Sequence, residues 1–201
     1  MNILETCTGA NGKQFKVVRY DESIRKDLEL FCEKAGEAGY NNNSSLQALH
    51  MGRWGDNEAW WVVYHNNDII HMAGTQYLPH VHKDCYMVLK RIATLPEYSG
   101  QACDGVSRKM LNCFGNTWLL PHQVDWCLRR GAKEMIISVN SPVNGVDPSG
   151  TMHKLWKSAK TFWPRVGYSL EYPDFMLYNA VQDLWRVNVR DIRTQEEIKY
   201  V

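Results

Sequence analysis

The spacing of apolar positions changes along this chain, and each spacing predicts an element. From Gln14 to Tyr20, Phe15 and Val17 alternate with polar neighbours, the period of a half-buried strand. Asp21 and Ser23 then offer N-caps. Ile24, Leu28, Phe31 and Ala35 follow at helical spacing, and Gly39 is placed to close that helix. Asn41 to Ser45 reads as a loop, with Ser44 or Ser45 able to cap a short helix through Leu46, Ala48 and Leu49. Ala59–His65 and Ile69–Tyr77 flank Asn66-Asn67-Asp68, residues that tolerate positive φ, so the pair predicts a hairpin. Cys85–Leu95 is a third extended stretch, set off by a loop holding Pro79.

The second half has a different rhythm. Pro121–Arg130 carries Val124, Cys127 and Leu128 on one helical face and ends at Gly131. Glu134–Val139 is a nearly continuous apolar run, the pattern of a strand buried on both faces and reached by a crossover. Thr151–Trp163 predicts another helix, with Leu155, Trp156, Ala159 and Phe162 on one side. Tyr168–Tyr172 and Phe175–Val181 predict two strands around a Pro173-Asp174 turn, and the charged tail follows. The order β-α-α-β-β-β-α-β-α-β-β predicts an α+β fold: a mostly antiparallel mixed sheet of six or seven strands, one central parallel pair, and helices on both faces.

Composition narrows the classes. A chain of 201 residues without repeat or linker fits a single domain, 1–201, with its core in 14–181 and a tail over 182–201. A 44% hydrophobic and 22% charged balance argues against disorder, and a net charge of +1 gives no global pull towards nucleic acid or an anionic membrane. Met1–Lys13 has no apolar run, and Gly9-Ala10-Asn11-Gly12 reads as a turn, so no signal peptide is expected there. The longest apolar stretches are too short to span a bilayer. Six scattered cysteines without a CxxC pair read as reduced thiols, and a cytoplasmic location is the expectation.

Three strings then carry a family likeness. Lys90–Gly100 (KRIATLPEYSG) is a strand running into a Pro-x-Tyr-x-Gly turn, Arg130–Asn140 (RGAKEMIISVN) is a helix-end Gly-Ala followed by a strand ending in Asn, and Phe162–Tyr168 (FWPRVGY) follows the last helix. In order and spacing they resemble the GNAT superfamily of acyl-CoA-dependent N-acetyltransferases, over roughly residues 14 to 181. The resemblance implies acetyl-CoA or a related acyl-CoA as substrate, no metal, and direct attack by the amine of a small molecule or a protein. Neither nucleic acid nor a membrane is implied as a partner, and a homodimer is compatible with the likeness.

It also implies roles for residues. Backbone groups around Ile92, Ala93 and Thr94 would meet the thioester where the strand edge splays, and Asn140 would bond the pantetheine arm. Gly100, Gly105, Ser107 and Arg108 fall in the stretch that would hold the pyrophosphate, because glycine admits close backbone approach and helix-start amides suit anions. The glycine spacing departs from the family pattern, and Asp104 adds negative charge. Two readings stay open: a helix entered at Gly105, with Arg108 and Lys109 meeting the phosphates, or an inserted lid over 101–114 and a helix entry at Gly115-Asn116-Thr117. Glu97 is the candidate base. Where the family places a tyrosine acid this chain has Trp163, whose N–H does not release a proton, so Tyr168 is the candidate acid, with Tyr178 nearby. A GNAT-shaped domain without turnover is the alternative.

Other features read more plainly. His80, His82 and Cys85 lack the second cluster that a zinc site needs. His71 reads as a sheet residue, and neither it nor His122 has a serine or cysteine elbow. Of the Trp60-Trp61 pair, one is expected in the core and the other at an acceptor cleft, because successive strand residues face opposite ways.

Overall fold

The computed structural model describes residues 1–37, 57–79, 83–98, 118–140, 169–177 and 180–188. The helices expected over 46–49 and 151–163 lie outside them, as do Gly39, His80 and His82. The chain divides into two compact units, Met1–Tyr77 with Val88–Asp125, and Leu78–Met87 with Trp126–Val201.

In the first unit, β1 (Asn2–Thr8) pairs antiparallel with β2 (Gln14–Arg19). Their turn is closed by the Gly9 N–H donating to the Lys13 carbonyl at 2.9 Å, and Gly12 takes φ +75, open to glycine at little cost. The hydrophobic pattern gave no sign of β1, because almost every residue of it is exposed. It is joined to β2 by backbone hydrogen bonds without a buried face, so alternation leaves no trace. β2, by contrast, buries Phe15, Val17 and Val18 completely. The Asp21 side chain accepts from the Ser23 N–H at 2.9 Å and starts a 3-10 turn, Glu22–Ile24, that runs into α1 (Arg25–Glu37). Ile24, Leu28, Phe31, Cys32 and Ala35 form its buried stripe, as the spacing predicts.

β3 (Glu58–His65) and β4 (Asp68–Tyr77) make the expected hairpin, with Asn66 at φ +56 in the turn. β2 pairs antiparallel with β3, setting Val17 opposite Val63, so those two side chains share a face with Phe15. Tyr64 points the other way and donates from its hydroxyl to Asp27 of α1 at 2.7 Å. Helices therefore cover both faces of this unit, since Trp118, just before α2 (Leu120–Arg129), lies 5.5 Å from Phe15 between ring centroids. Trp60 and Trp61 are both core, 2% and 1% exposed. No cleft wall is left to either, because the faces of β3 are covered on both sides.

In the second unit, β6 (Glu134–Asn140) runs parallel to the start of β5 (Cys85–Thr94) and antiparallel to β8 (Ala180–Asn188), which pairs antiparallel with β7 (Ser169–Leu177). The two strands expected around Pro173-Asp174 are one strand, β7, whose register shifts between Tyr172 and Phe175. A proline without an N–H fits such an irregularity in an edge strand. Its hairpin partner, β8, comes largely from the stretch expected as tail. The last turn of α2 ends as expected, with Gly131 at φ +81 and the Ala132 N–H donating to the Cys127 carbonyl at 3.0 Å. Arg130 lies over the Trp126 ring at 4.4 Å, and the Tyr86 ring meets Trp126 edge-on at 5.8 Å. β6 buries Met135, Ile136 and Ile137.

The pairings are thus mostly antiparallel with one parallel pair, the predicted fold class, in a sheet of eight strands. In the parallel pair Cys85, Tyr86 and Met87 face Glu134, Met135 and Ile136. No helix among the described residues is long and apolar enough to cross a membrane.

Gly74 of β4 sits across from Trp60, and a Cβ built there would meet the indole at 2.8 Å, inside van der Waals contact. Trp60 is buried and has no room to yield. Gly74→Ala is expected to destabilise the protein by about 1–3 kcal/mol through overpacking. Urea unfolding measures this, and the combined Gly74→Ala, Trp60→Phe variant should recover part of the loss.

Candidate functional site

Four of the expected site residues, Ile92, Ala93, Thr94 and Glu97, lie at the end of β5 and in the turn after it, so its construction comes first. Ala93 and Leu95 are buried, whereas Ile92 is 40% exposed and Thr94 half-buried. The Leu95 N–H donates to the Ile70 carbonyl of β4 at 2.9 Å, a backbone tie across to the neighbouring strand. Pro96-Glu97-Tyr98 then turn as a single 3-10 coil, closed by the Tyr98 N–H on the Leu95 carbonyl at 3.0 Å. Proline fits the first position because its N–H is not needed there. Glu97 is exposed on this turn.

Tyr98 folds back onto the sheet. Its ring meets Phe15 edge-on at 6.4 Å and His65 at 5.6 Å, with the Lys13 ammonium 5.8 Å from its centre. Trp118 packs on the same Phe15. Phe15 of β2 therefore holds both residues that flank 99–117, the stretch in which Gly100, Gly105, Ser107 and Arg108 lie outside the described residues. Tyr168 and Tyr178 lie outside them too. Asn140 is the last residue of β6 and pairs with Gln182 of β8.

The start of α2 is fixed by two side chains. Gln123, fully buried, donates from Nε2 to the Gly74 carbonyl of β4 at 2.9 Å, and His122 Nε2 meets the Glu5 carboxylate of β1 at 2.9 Å. The two residues before α2, Trp118 and Leu119, are already helical, as a π-turn that runs into it. Both open readings of the 99–117 stretch fall outside the described residues, which resume at Trp118.

His71 is the buried polar group at this end of β4. It is fully enclosed, and its Nδ1 lies 2.7 Å from the Thr94 hydroxyl. Burial pushes its pKa down to about 3, so the ring is neutral at physiological pH. Sequence reading placed His71 in the sheet but gave it no link to Thr94. The signal was a lone imidazole inside the apolar run Ile69–Ala73. Gln123 and Phe15 were likewise not singled out, since a helix glutamine and a strand phenylalanine read as ordinary.

Among the described residues, burial holds the Cys7, Cys32 and Cys127 thiols in their protonated, unreactive form. Burial, with Glu5 adding to it, pushes Cys7 up to about 12, and burial pushes Cys32 up to about 11. Cys103, in the 99–117 stretch, lies outside the described residues.

Comparison with solved structures decides what this arrangement of strands is. The chain superposes on the GNAT domain of the S. lividans protein PAT with a TM-score of 0.59 at 13% identity, covering 92% of this chain and 96% of that one. The fold is that of the GNAT acetyltransferases. A GNAT-family acetyltransferase of Staphylococcus aureus Mu50 matches with a TM-score of 0.57 at 13% identity, over 87% of this chain and 99% of that one. The PaiA N-acetyltransferase of Thermoplasma acidophilum, solved in complex with coenzyme A, gives 0.50 at 10% identity, over 87% and 98%. Sequence identities this low make the GNAT likeness one of fold. No protein-family profile and no curated protein sequence matches the chain.

The buried imidazole sets a pH dependence. An unfolded chain protonates His71 below about 6.5, whereas the folded one does so only near pH 3. Between those values the unfolded state binds more protons, so stability falls as pH falls. The expected slope from this group is roughly 1.4 kcal/mol for each step of one pH from about 6 towards 4. Urea midpoints across that range check it, and His71→Leu should flatten the slope.

Proposed function

We propose that this protein is an N-acyltransferase that passes an acetyl or other acyl group from a CoA thioester to an amine by direct attack. The observation that carries the proposal is the end of β5 in the first unit: it is tied to β4 by the Leu95 N–H on the Ile70 carbonyl and turns at Pro96–Tyr98, with Gln123 of α2 anchored on the same strand β4. Two further points support it, the GNAT fold itself and the neighbour solved with coenzyme A.

In this reading backbone amides of the segment between Tyr98 and α2 take the CoA pyrophosphate, with Gly100, Gly105, Ser107 and Arg108 as the sequence candidates. Backbone groups at Ala93 and Thr94 meet the thioester carbonyl, whose oxygen gains negative charge as the tetrahedral centre forms. The amine nitrogen attacks the carbonyl carbon, and Glu97, directly or through water, takes the proton released from it. The carbon–sulfur bond then breaks, and the CoA thiolate gains a proton, for which Tyr168 is the candidate donor. The amine is that of a small molecule or a protein. No thiol intermediate is invoked, which agrees with the raised pKa of Cys7 and Cys32.

Calorimetric titration with CoA is expected to give saturable one-site binding, and thiol release from acetyl-CoA to rise when an amine panel is added. Glu97→Gln should lower kcat by about 10²–10⁴-fold while CoA still binds. Binding without thiol release across the panel would favour the non-catalytic GNAT-shaped module. No binding would refute the acyltransferase reading.

A further inference from the structure

β4 spends a buried position on a histidine although Ile70, Met72 and Ala73 around it are apolar and almost fully enclosed. Enclosing an imidazole is costly unless its nitrogens are engaged, and a leucine would fill the space without that cost. The engagement is with Thr94, at 2.7 Å. Thr94 sits between two buried residues, Ala93 and Leu95, and Leu95 is tied to the carbonyl next to His71 in the sequence, that of Ile70. Backbone and side chain are thus held together at one point, on a residue that is itself only half-buried.

We infer that the Thr94 hydroxyl, oriented by His71, donates a hydrogen bond to the thioester carbonyl of the acyl-CoA, which makes His71 a positioning residue. The inference rests on the acyltransferase reading proposed above. The chemistry follows from the two groups. With the Nδ1–H donating to the threonine oxygen, the hydroxyl proton turns away from the histidine and is presented as a donor. A thioester carbonyl oxygen only accepts, and it accepts more strongly as the tetrahedral centre forms. The ring holds a single proton throughout, as its depressed pKa requires, so the polarity of the bond is a choice of tautomer rather than of charge. A valine would fill the site of Thr94 equally well and supply no donor.

The test compares wild type, Thr94→Val, Thr94→Ser, His71→Leu, His71→Asn and the Thr94→Val, His71→Leu pair, with thermal midpoints recorded so that only folded variants are scored. Free CoA lacks the acyl carbonyl, which separates this hydrogen bond from the rest of the site. Thr94→Val is expected to lower kcat by about ten- to a hundredfold with the Kd for CoA within about twofold of wild type, and Thr94→Ser to keep most of the rate. A folded His71 variant should lose a similar part of kcat, and the double variant no more than the worse single one, because both act on one donor. Should neither His71 variant fold, a threonine pair decides: Thr94→Val low and Thr94→Ser near wild type supports the donor, and equal rates overturn it. Losses of His71 and Thr94 that multiply, unchanged kcat in Thr94→Val, or a CoA affinity that falls as far as the rate would each overturn the inference while leaving the acyltransferase reading intact. A wild-type protein that binds no CoA overturns both.

Discussion

The tie between β4 and the end of β5 is the constraint on which the rest of the first unit depends. The end of a strand must have its backbone groups settled by a neighbour, or it frays. Here the Leu95 N–H reaches the Ile70 carbonyl, and one residue along on each strand His71 reaches Thr94. Those two bonds fix where β5 stops and where the Pro96–Tyr98 turn begins. Tyr98 then lands on Phe15, and so does Trp118, so a single fully buried ring determines where the intervening segment leaves and rejoins the described core.

The polar groups that do this work are few, and they are placed where an apolar residue would pack as well. Gln123 reaches from α2 into the backbone of β4 at Gly74, the residue whose missing side chain admits Trp60. His71 is three residues away on the same strand. A buried hydrogen bond contributes little net stability, but a wrongly docked helix or strand would leave its partner unsatisfied at about 1–3 kcal/mol. Such groups therefore favour one docking over its neighbours, which is what a site requiring fixed amides needs.

Much of this was readable in the residues. The alternation in Gln14–Tyr20, the stripe from Ile24 to Ala35, the Asn66 turn, the Gly131 stop and the apolar run at Met135–Ile137 each have a local physical cause, and each element formed. Where the cause is not local, the sequence was silent. β1 has no buried face to pattern it, and β8 looked like tail because its charged residues hide the backbone pairing with β6 that defines it. The same limit governs the site. Glu97 and Thr94 stood out from their place beside a recognisable turn, whereas the partnership of His71 with Thr94 spans two strands and is invisible until they are paired. Trp60 and Trp61 show the converse, since a period of two says that they diverge but not that both sides are covered.

The account stands or falls on whether the amides at and after the end of β5 receive a CoA. Amide chemical shifts of the full chain, followed as CoA is added, test this most directly. The expected result is that the largest changes cluster at Thr94–Tyr98 and at Leu119–Gln123, and saturate together. Saturable changes confined to other parts of the chain, or no changes at all, would contradict it.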